Sequence, residues 1–338
     1  ELIPAGGMGL TEALWIAAGL ANRIRELHEV RVVHRDIHPG NILVNLDSCG
    51  VDLISHGCAS RVPRETRQRV HPEQLHRTLE YISPEQTGRM NRAIDYRTDL
   101  YSLGVVLYEL LTGLPPFVGE DPAELVHAHI ARSPEAPGRA RPDLPAPLSG
   151  LVLKLLAKNA EDRYQSSVGV LADLETCAMT LALQGEIAPF ELCQNDFHER
   201  VRAPQKLYGR ETERELLLET LQRVARSKKP ELALISGTSG IGKTSLVQEM
   251  HKPVTERRGW FIVGKHDQFQ HNTPYHALAL AFRELTRQLL TESADNVSRW
   301  KERITTALGE NAHLMLDMAP ELELIIGAQP PVKELSPV

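Results

Sequence analysis

The fold of this chain is decided by an eight-residue stretch between two apolar segments: His34-Arg35-Asp36-Ile37-His38-Pro39-Gly40-Asn41. Val32-Val33 precedes the stretch and Ile42-Leu43-Val44 follows it. Short apolar runs bounded by polar and turn-forming residues predict strands. The stretch is therefore expected to be a loop held between two short strands, and it carries the carboxylate of Asp36 and the amide of Asn41.

Three further landmarks follow this loop in order along the chain: Tyr81-Ile82-Ser83-Pro84-Glu85, Asp99-Leu100-Tyr101-Ser102-Leu103-Gly104 and Glu161-Asp162-Arg163-Tyr164. With the H-R-D-x-x-x-x-N spacing of the loop, they give the first half of the chain a resemblance to the C-terminal lobe of a eukaryotic-type serine/threonine protein kinase. The resemblance implies a mainly α-helical lobe. It also implies structural roles for His34 and Arg35 in the loop, for Asp99 at the start of a buried helix that anchors the loop, and for a pair between Glu85 and Arg163.

The same resemblance implies the chemistry of phosphoryl transfer from ATP. Asp36 is expected to accept or orient the proton of a substrate hydroxyl. Asn41 is expected to bind a Mg²⁺ ion that bridges the ATP phosphates. Phosphoryl transfer depends mostly on positioning and charge neutralisation, so few residues carry it.

Two positions depart from a competent kinase site. The D-F-G position reads Ser55-His56-Gly57, so the metal-binding aspartate is replaced by Ser55. A neutral hydroxyl is a weaker ligand for a hard cation than a carboxylate. The lysine of the catalytic loop is replaced by His38, which is mostly neutral at pH 7.

The residues before His34 are too few for a kinase N-terminal lobe, so we expect that lobe to be missing from residues 1–184. Gly6 to Gly9 predict a loop that leads into the first helix.

These departures leave two hypotheses open for the kinase half. One is a protein kinase that phosphorylates serine or threonine, carried by Asp36, Asn41 and the later landmarks. The other is a catalytically impaired platform, carried by Ser55 and His38, with nucleotide function confined to the second half of the chain.

The second half contains a phosphate-binding loop: Gly237-Thr238-Ser239-Gly240-Ile241-Gly242-Lys243-Thr244. It fits G-x-x-x-x-G-K-[ST], in which Gly237, Gly240 and Gly242 let backbone N–H groups converge on an anion. Lys243 is expected to reach the β- and γ-phosphates, and Thr244 to ligate Mg²⁺. Apolar residues 232–236 predict a strand before the loop, a helix is expected from Lys243, and residues 260–263 predict a second strand. This order implies a parallel sheet, partly contained in the chain.

The acidic residue that completes a P-loop ATPase is not evident. Asp267 and Asp317 are weak candidates, and Asp317 stands in a helix-like stretch. We therefore expect nucleotide binding without efficient hydrolysis.

A wider resemblance rests on three runs: residues 81–92, residues 207–211 and residues 264–270. Together they resemble very large bacterial signalling proteins in which a serine/threonine kinase domain is followed by an AAA-like signal-transduction ATPase. In such proteins sensor and histidine-kinase domains come further on. The resemblance implies that the partners are a protein substrate or downstream sensor and histidine-kinase domains.

Composition places the chain among ordinary globular proteins. It has 338 residues, 42% of them hydrophobic, and a formal net charge of −6, which argues against a nucleic-acid binder. The four cysteines are scattered and favour a reducing, cytoplasmic compartment. No signal peptide or membrane span is evident, and His127 and His129 are expected to be surface residues.

The pattern predicts a kinase-like domain over residues 1–184, a linker over 185–206 and a P-loop domain over 207–338. Helices are expected over residues 11–31, with Thr11 as the N-cap, and over 99–112, 149–158, 166–184 and 211–226. Residues 61–80 and 132–148 are expected to be loops.

Overall fold

A computed structural model of the chain describes residues 3–45, 50–61, 79–88, 94–119, 121–197, 209–238, 240–264, 275–290, 292 and 294–330. It divides into two compact units. The first contains residues 1–119 and 125–256, and the second contains residues 120–124 and 257–338.

The first unit is built on two long helices. Helix α1 spans Leu10–Glu29 and presents a stripe of apolar side chains to the core. It begins after Gly9, so Thr11 lies inside the helix and is not its N-cap. Helix α2 spans Arg97–Thr112, is almost entirely buried and ends at Gly113, which has a φ of 86°. A glycine at this position closes a helix without the steric cost of a side chain.

Two small antiparallel ladders flank the eight-residue loop. Strand β1 (Val32–Val33) pairs with β4 (Ser60–Arg61). Strand β2 (Ile42–Asn45) pairs with β3 (Gly50–Leu53), with Leu43 opposite Asp52. The strands expected on either side of the loop are therefore present. Residues 46–49, between β2 and β3, lie outside the described residues, as do most of residues 61–80.

Four more helices complete the lobe: α3 (Pro122–Ala131), α4 (Pro137–Ala140), α5 (Ala146–Leu155) and α6 (Ser167–Gln184). The core lies between α1, α2, α5 and α6. The expected loop at 132–148 contains the short helix α4 and the first turn of α5. Pro137 begins α4, because the fixed φ of proline suits the first turn of a helix.

His129 corrects the expectation of a surface histidine. It is fully buried, and its ring packs edge-on against Tyr101 and Phe117. The hydroxyl of Tyr101 lies 2.9 Å from His129 Nδ1. Apolar neighbours fill the face of α3 that carries His129, whereas His127, two positions away, is partly exposed.

Residues 185–197, which the sequence assigns to a linker, lie against the helical lobe. Ile187 is buried in the core. The carboxylate of Asp196 accepts hydrogen bonds from the Gln165 N–H at 2.7 Å and the Ser166 hydroxyl at 2.9 Å. The Cys193 N–H donates to Asp173 at 2.8 Å. This part of the chain is therefore a strap attached to the lobe.

The P-loop half contributes helices to both units. Helices α7 (Glu211–Ser227), α8 (Lys243–Gln248) and α9 (His251–Glu256) belong to the first. Helices α10 (His276–Leu289), α11 (Ala294–Leu308), α12 (Ala312–Met318) and α13 (Glu323–Ile326) belong to the second. The core of the second unit contains Leu289, Leu322, Ile325 and Ile326.

The expected parallel sheet is not formed among the described residues. Residues 232–236 and 260–263 adopt no strand, and Leu232 and Leu234 are 85% and 86% exposed. A parallel strand needs hydrogen-bonded neighbours and apolar cover on both faces. Neither stretch pairs with a strand within the described part of the chain, so the expected strand–helix–strand unit is not shown there, and the helices are joined by segments without regular secondary structure.

Candidate active site and phosphate loop

The carboxylate of Asp99 holds the eight-residue loop against helix α2. Its oxygens accept the backbone N–H groups of His34 at 2.9 Å and Arg35 at 2.8 Å. His28, at the end of α1, contacts the same carboxylate through Nε2 at 3.0 Å. Asp99 is fully buried, and a buried carboxylate is tolerated when such donors satisfy it. The loop therefore starts from a rigid point in the core.

Two contacts define the state of the His34 ring. Its Nε2 lies 3.0 Å from the carbonyl oxygen of Ile54, which accepts only, so Nε2 carries the proton. Its Nδ1 accepts the Asp36 N–H at 3.3 Å. Burial lowers the pKa of His34 despite the charge of Asp99 nearby. The ring is therefore neutral and joins Asp36 to the strand that precedes Ser55.

Asp36 and Asn41 are brought together by the loop. The Asn41 side-chain amide donates to the Asp36 carbonyl oxygen at 2.9 Å and to Asp36 Oδ2 at 3.1 Å. The Asn41 carbonyl in turn accepts the Ile54 N–H at 2.9 Å. A carboxylate beside an amide, both fixed by the backbone, can hold a hydroxyl group and a phosphate-bound cation in one place.

His38 caps the turn Pro39–Asn41, where its Nδ1 accepts the Gly40 N–H at 3.2 Å. Its Nε2 lies 3.8 Å from Asp36 Oδ1. Burial lowers the pKa of His38, and the charge of Asp36 opposes this only in part. The position therefore presents a neutral N–H beside Asp36 where the kinase pattern has an ammonium group.

Ser55 lies two residues beyond the end of β3, with φ 65° and ψ 60°. Aspartate and asparagine are several-fold enriched in this left-handed conformation, whereas serine is not among the residues that favour it. Asp52, the nearest carboxylate along the strand, contacts Arg23 at 3.0 Å. Asp52 is thus engaged elsewhere and does not replace the missing acid. His56, next to Ser55, packs edge-on against His34.

The expected pair between Glu85 and Arg163 is present. Arg163 donates to both carboxylate oxygens, at 2.7 and 2.8 Å, and the Thr98 hydroxyl donates to Glu85 at 2.8 Å. Burial raises the pKa of Glu85, but the charge and hydrogen bonds of Arg163 outweigh it and lower that pKa to about 2. A bidentate pair of this kind fixes orientation as well as charge.

Sequence reasoning missed two residues that the structure joins to the loop. His28 contacts Asp99, and Gln86 donates to the Arg35 carbonyl at 2.7 Å. A histidine in the last turn of the helix before the loop was the signal for His28. Gln86 follows Glu85 directly, but nothing in the sequence indicated which way its side chain points.

The phosphate loop has the backbone that its glycines permit. Gly237, Gly240 and Gly242 all have positive φ values, of 156°, 81° and 94°. Gly242 precedes α8, which begins at Lys243 and carries Thr244, an exposed residue, in its first turn. The Lys243 ammonium donates to the carbonyl oxygens of Gly237 and Thr238, each at 2.8 Å. An ammonium group that lies against a glycine-rich loop is an arrangement that suits the binding of a polyphosphate.

The sequence offers two acidic candidates for this loop, Asp317 and Asp267. Asp317 is exposed on α12, and Asp267 lies outside the described residues. The described part of the chain contains no group of three or more His, Cys, Asp or Glu side chains that could hold a metal ion. In the same residues, no helix combines the length and the apolar character needed to cross a bilayer.

Comparison with known families matches both halves of the chain. Residues 5–171 match the protein kinase domain, and residues 206–335 match the AAA ATPase domain.

Individual relatives match the chain over half or more of its length. The chain is similar to hybrid signal transduction histidine kinase G of Dictyostelium discoideum, at 37% identity over 74% of the chain and 8% of that protein. It is similar to serine/threonine-protein kinase PknB of Mycolicibacterium smegmatis, at 34% identity over 50% of the chain and 27% of that protein. Histidine protein kinase 1 of Candida albicans matches at 27% identity over 95% of the chain and 14% of its own length.

The chain spans at most 27% of the length of these three relatives. Their sources do not confirm the expected bacterial origin. The landmarks around Asp36 and Glu85, the glycine loop at Lys243 and the family matches lead to one conclusion: the chain carries a protein kinase domain, with serine/threonine kinases among its relatives, followed by an AAA ATPase domain.

Proposed function

We propose that the chain is the ATP-dependent part of a signal-transduction protein. Its kinase domain transfers the γ-phosphate of ATP to serine or threonine in a protein substrate, and its P-loop domain binds ATP as a switch. The observation that carries the proposal is the contact of Asn41 with Asp36 at 3.1 Å, on a loop anchored by Asp99. A cytoplasmic location belongs to the proposal, because ATP is supplied there.

The P-loop residues fit ATP and Mg²⁺. The three glycines of the loop have positive φ values and carry no side chain, and the Lys243 ammonium, which lies against the Gly237 carbonyl, is placed to neutralise a phosphate bound there. Thr244 has the hydroxyl that a Mg²⁺ ion takes in such loops. The metal supplies charge neutralisation of the phosphates.

The kinase residues fit Mg²⁺ less well. Asn41 offers an amide oxygen and Ser55 a hydroxyl, and neither carries charge. Mg²⁺ in phosphate sites is usually bound through one or two carboxylates. In this domain, the role of Asp36 is to hold the substrate hydroxyl. Asn41 holds Asp36 in place, and His38 caps the loop beside them.

A second candidate function follows from this poor fit. The kinase domain then acts as a catalytically impaired platform that binds sensor or histidine-kinase domains, and nucleotide function belongs to the P-loop alone. The neutral side chains at Ser55 and His38 favour it, because both remove charge from the place where phosphate charge has to be balanced.

Phosphotransfer from γ-labelled ATP to a protein acceptor decides between the two. The assay should use the protein as encoded, since the matched relatives are several times longer than the aligned segments. We expect transfer that Asp36→Asn abolishes and that Ser55→Asp raises less than about tenfold. Transfer that is undetectable in the natural protein, but appears in the Ser55→Asp, His38→Lys double variant, would contradict the active-kinase proposal and support the platform.

A further inference from the structure

The side chain of Gln86 connects the catalytic loop to the turn that carries Glu85. Its Nε2 donates to the Arg35 carbonyl oxygen at 2.7 Å. Its Oε1 accepts the Ser83 N–H at 3.0 Å and lies 3.1 Å from the Ser83 hydroxyl. Gln86 is 5% exposed. Both ends of its amide are therefore used inside the protein, and the side chain has one orientation.

The carbonyl that Gln86 contacts belongs to the peptide group that leads into Asp36. The N–H of that same peptide donates to His34 Nδ1. Arg35 itself has a φ of 68°, a left-handed conformation that is unfavourable for a residue with a side chain. A strained peptide stays in place only when its surroundings determine it, and here Gln86 and His34 hold its two polar ends.

The support behind Gln86 reaches the buried ion pair. The Ser83 hydroxyl lies 3.3 Å from the Thr98 hydroxyl, and Thr98 donates to Glu85. Glu85 is held in turn by Arg163. A side chain held by such a network is already ordered in the free protein, so little further conformational entropy is lost when a substrate binds.

We propose that Gln86 is a positioning residue for Asp36: it fixes the Arg35–Asp36 peptide and so keeps the Asp36 carboxylate beside Asn41. The inference rests on the proposed kinase function for its catalytic meaning. The claim that Gln86 fixes the Arg35–Asp36 peptide does not depend on that function, because the hydrogen exchange of the Asp36 amide can be measured directly.

The test compares Gln86→Glu with Gln165→Glu. Glutamate at position 86 keeps the oxygen that accepts from Ser83 but places a second oxygen against the Arg35 carbonyl. Gln165 is a matched control: it is also buried, and its amide donates to the carbonyl oxygens of Ala160 and Arg163. The readout is the hydrogen-exchange protection of the single Asp36 amide.

At pH about 8 we expect Gln86→Glu to lower the protection of the Asp36 amide about tenfold, and Gln165→Glu to leave it unchanged. At pH about 5.5 the introduced carboxyl group takes up a proton and can donate to the Arg35 carbonyl, so most of the protection should return. In the transfer assay kcat should fall about tenfold at the higher pH with KM for ATP unchanged, and should recover on acidification.

Equal loss of protection in the two variants, or unchanged protection in Gln86→Glu, would overturn the proposal. If Gln86→Glu fails to fold, Ser83→Ala replaces it: loss of the hydroxyl that braces Gln86 should lower the protection about threefold, and unchanged protection again overturns the proposal. If the encoded protein transfers no phosphate, the proposed kinase function fails, whereas the Asp36 amide still decides the role of Gln86.

Discussion

At the scale of single residues, the buried and half-buried charges of the kinase lobe differ in whether they are paired. Glu85 and Arg163 neutralise each other, and Asp99 is surrounded by donors. Lys158 is the contrast: its ammonium contacts the face of Phe117 at 4.3 Å and the Ala128 carbonyl at 3.1 Å. These two kinds of site predict opposite responses to mutation and to pH.

Breaking the paired site should be costly. Arg163→Leu leaves the Glu85 carboxylate buried without its partner, and we expect a loss of about 3–5 kcal/mol in the free energy of unfolding. Because the pKa of Glu85 in the folded protein is about 2, the pair's contribution is present above the ordinary value of 4.5 and is lost as pH falls through about 2. Urea titration of Arg163→Leu and of the double variant Glu85→Gln, Arg163→Leu measures the loss in the free energy of unfolding. A single variant as stable as the natural protein would contradict this assignment.

The unpaired site predicts a stability that rises with pH. Burial lowers the pKa of Lys158 to about 7, with the charges of Arg163 and Lys252 adding to the effect. Between that value and the ordinary 10.5, the unfolded state binds more protons, so stability increases as pH rises. Thermal melting at pH about 7 and about 9 should show this increase in the natural protein and lose it in Lys158→Met. Lys154→Met, which removes a partly exposed ammonium, is the control and should keep the increase.

At the scale of elements, the crossing of α2 and α5 depends on one glycine. A Cβ atom added at Gly104 would lie 2.6 Å from the Cβ of Leu155, whereas one at Gly150 in α5 would meet Leu192 at an ordinary 3.5 Å. Helical alanine is favoured over glycine by about 1 kcal/mol, so the two substitutions should act in opposite directions.

We expect Gly104→Ala to destabilise the lobe by about 1–3 kcal/mol, because the helices have to separate. Gly150→Ala should be neutral or stabilise it by up to about 1 kcal/mol. Chemical denaturation of both variants checks the pair. A Gly104→Ala variant more stable than the natural protein would show that α2 and α5 can move apart freely.

At the scale of the whole molecule, two halves carry features of nucleotide sites, and they differ in charge. The P-loop has the Lys243 ammonium over its glycines, whereas the kinase loop has neutral groups at Ser55 and His38. We therefore predict two sites for Mg²⁺-ATP per chain in isothermal calorimetry, a tighter one at the P-loop and a weaker one at the kinase loop. Lys243→Ala should abolish the tighter site, and Ser55→Ala should leave it unchanged. A chain that has only the tighter site would contradict the active-kinase proposal and support the platform.

Much of the kinase lobe could be predicted, because its evidence is local. The apolar period of α1 and α2 and the spacing from His34 to Asn41 are contained in consecutive residues. The positions of Ser55 and His38 followed from the same spacing. The P-loop could be recognised in the same way, since its glycines act through their own φ values.

The apolar run at 232–236 did not by itself establish a strand, and the predicted surface position of His129 was wrong. An apolar run becomes a strand only when another strand pairs with it, and that partner is not specified by the run itself. His129 is buried because Tyr101 and Phe117 meet it from other parts of the chain, and helical spacing does not report which face of α3 they cover.

The amino-acid sequence by itself determined which chemical groups this protein has: an acid and an amide on one short loop, a serine in place of a metal-binding aspartate, and a lysine after a glycine loop. These are properties of covalent order. Only the tertiary structure decided how those groups are held. Asp99 and Gln86 lie 65 and 51 residues along the chain from the loop residues that they contact, and Arg163 lies 78 residues from Glu85. Their hydrogen bonds depend on how α2 packs in the core, which arises from the burial of many side chains at once.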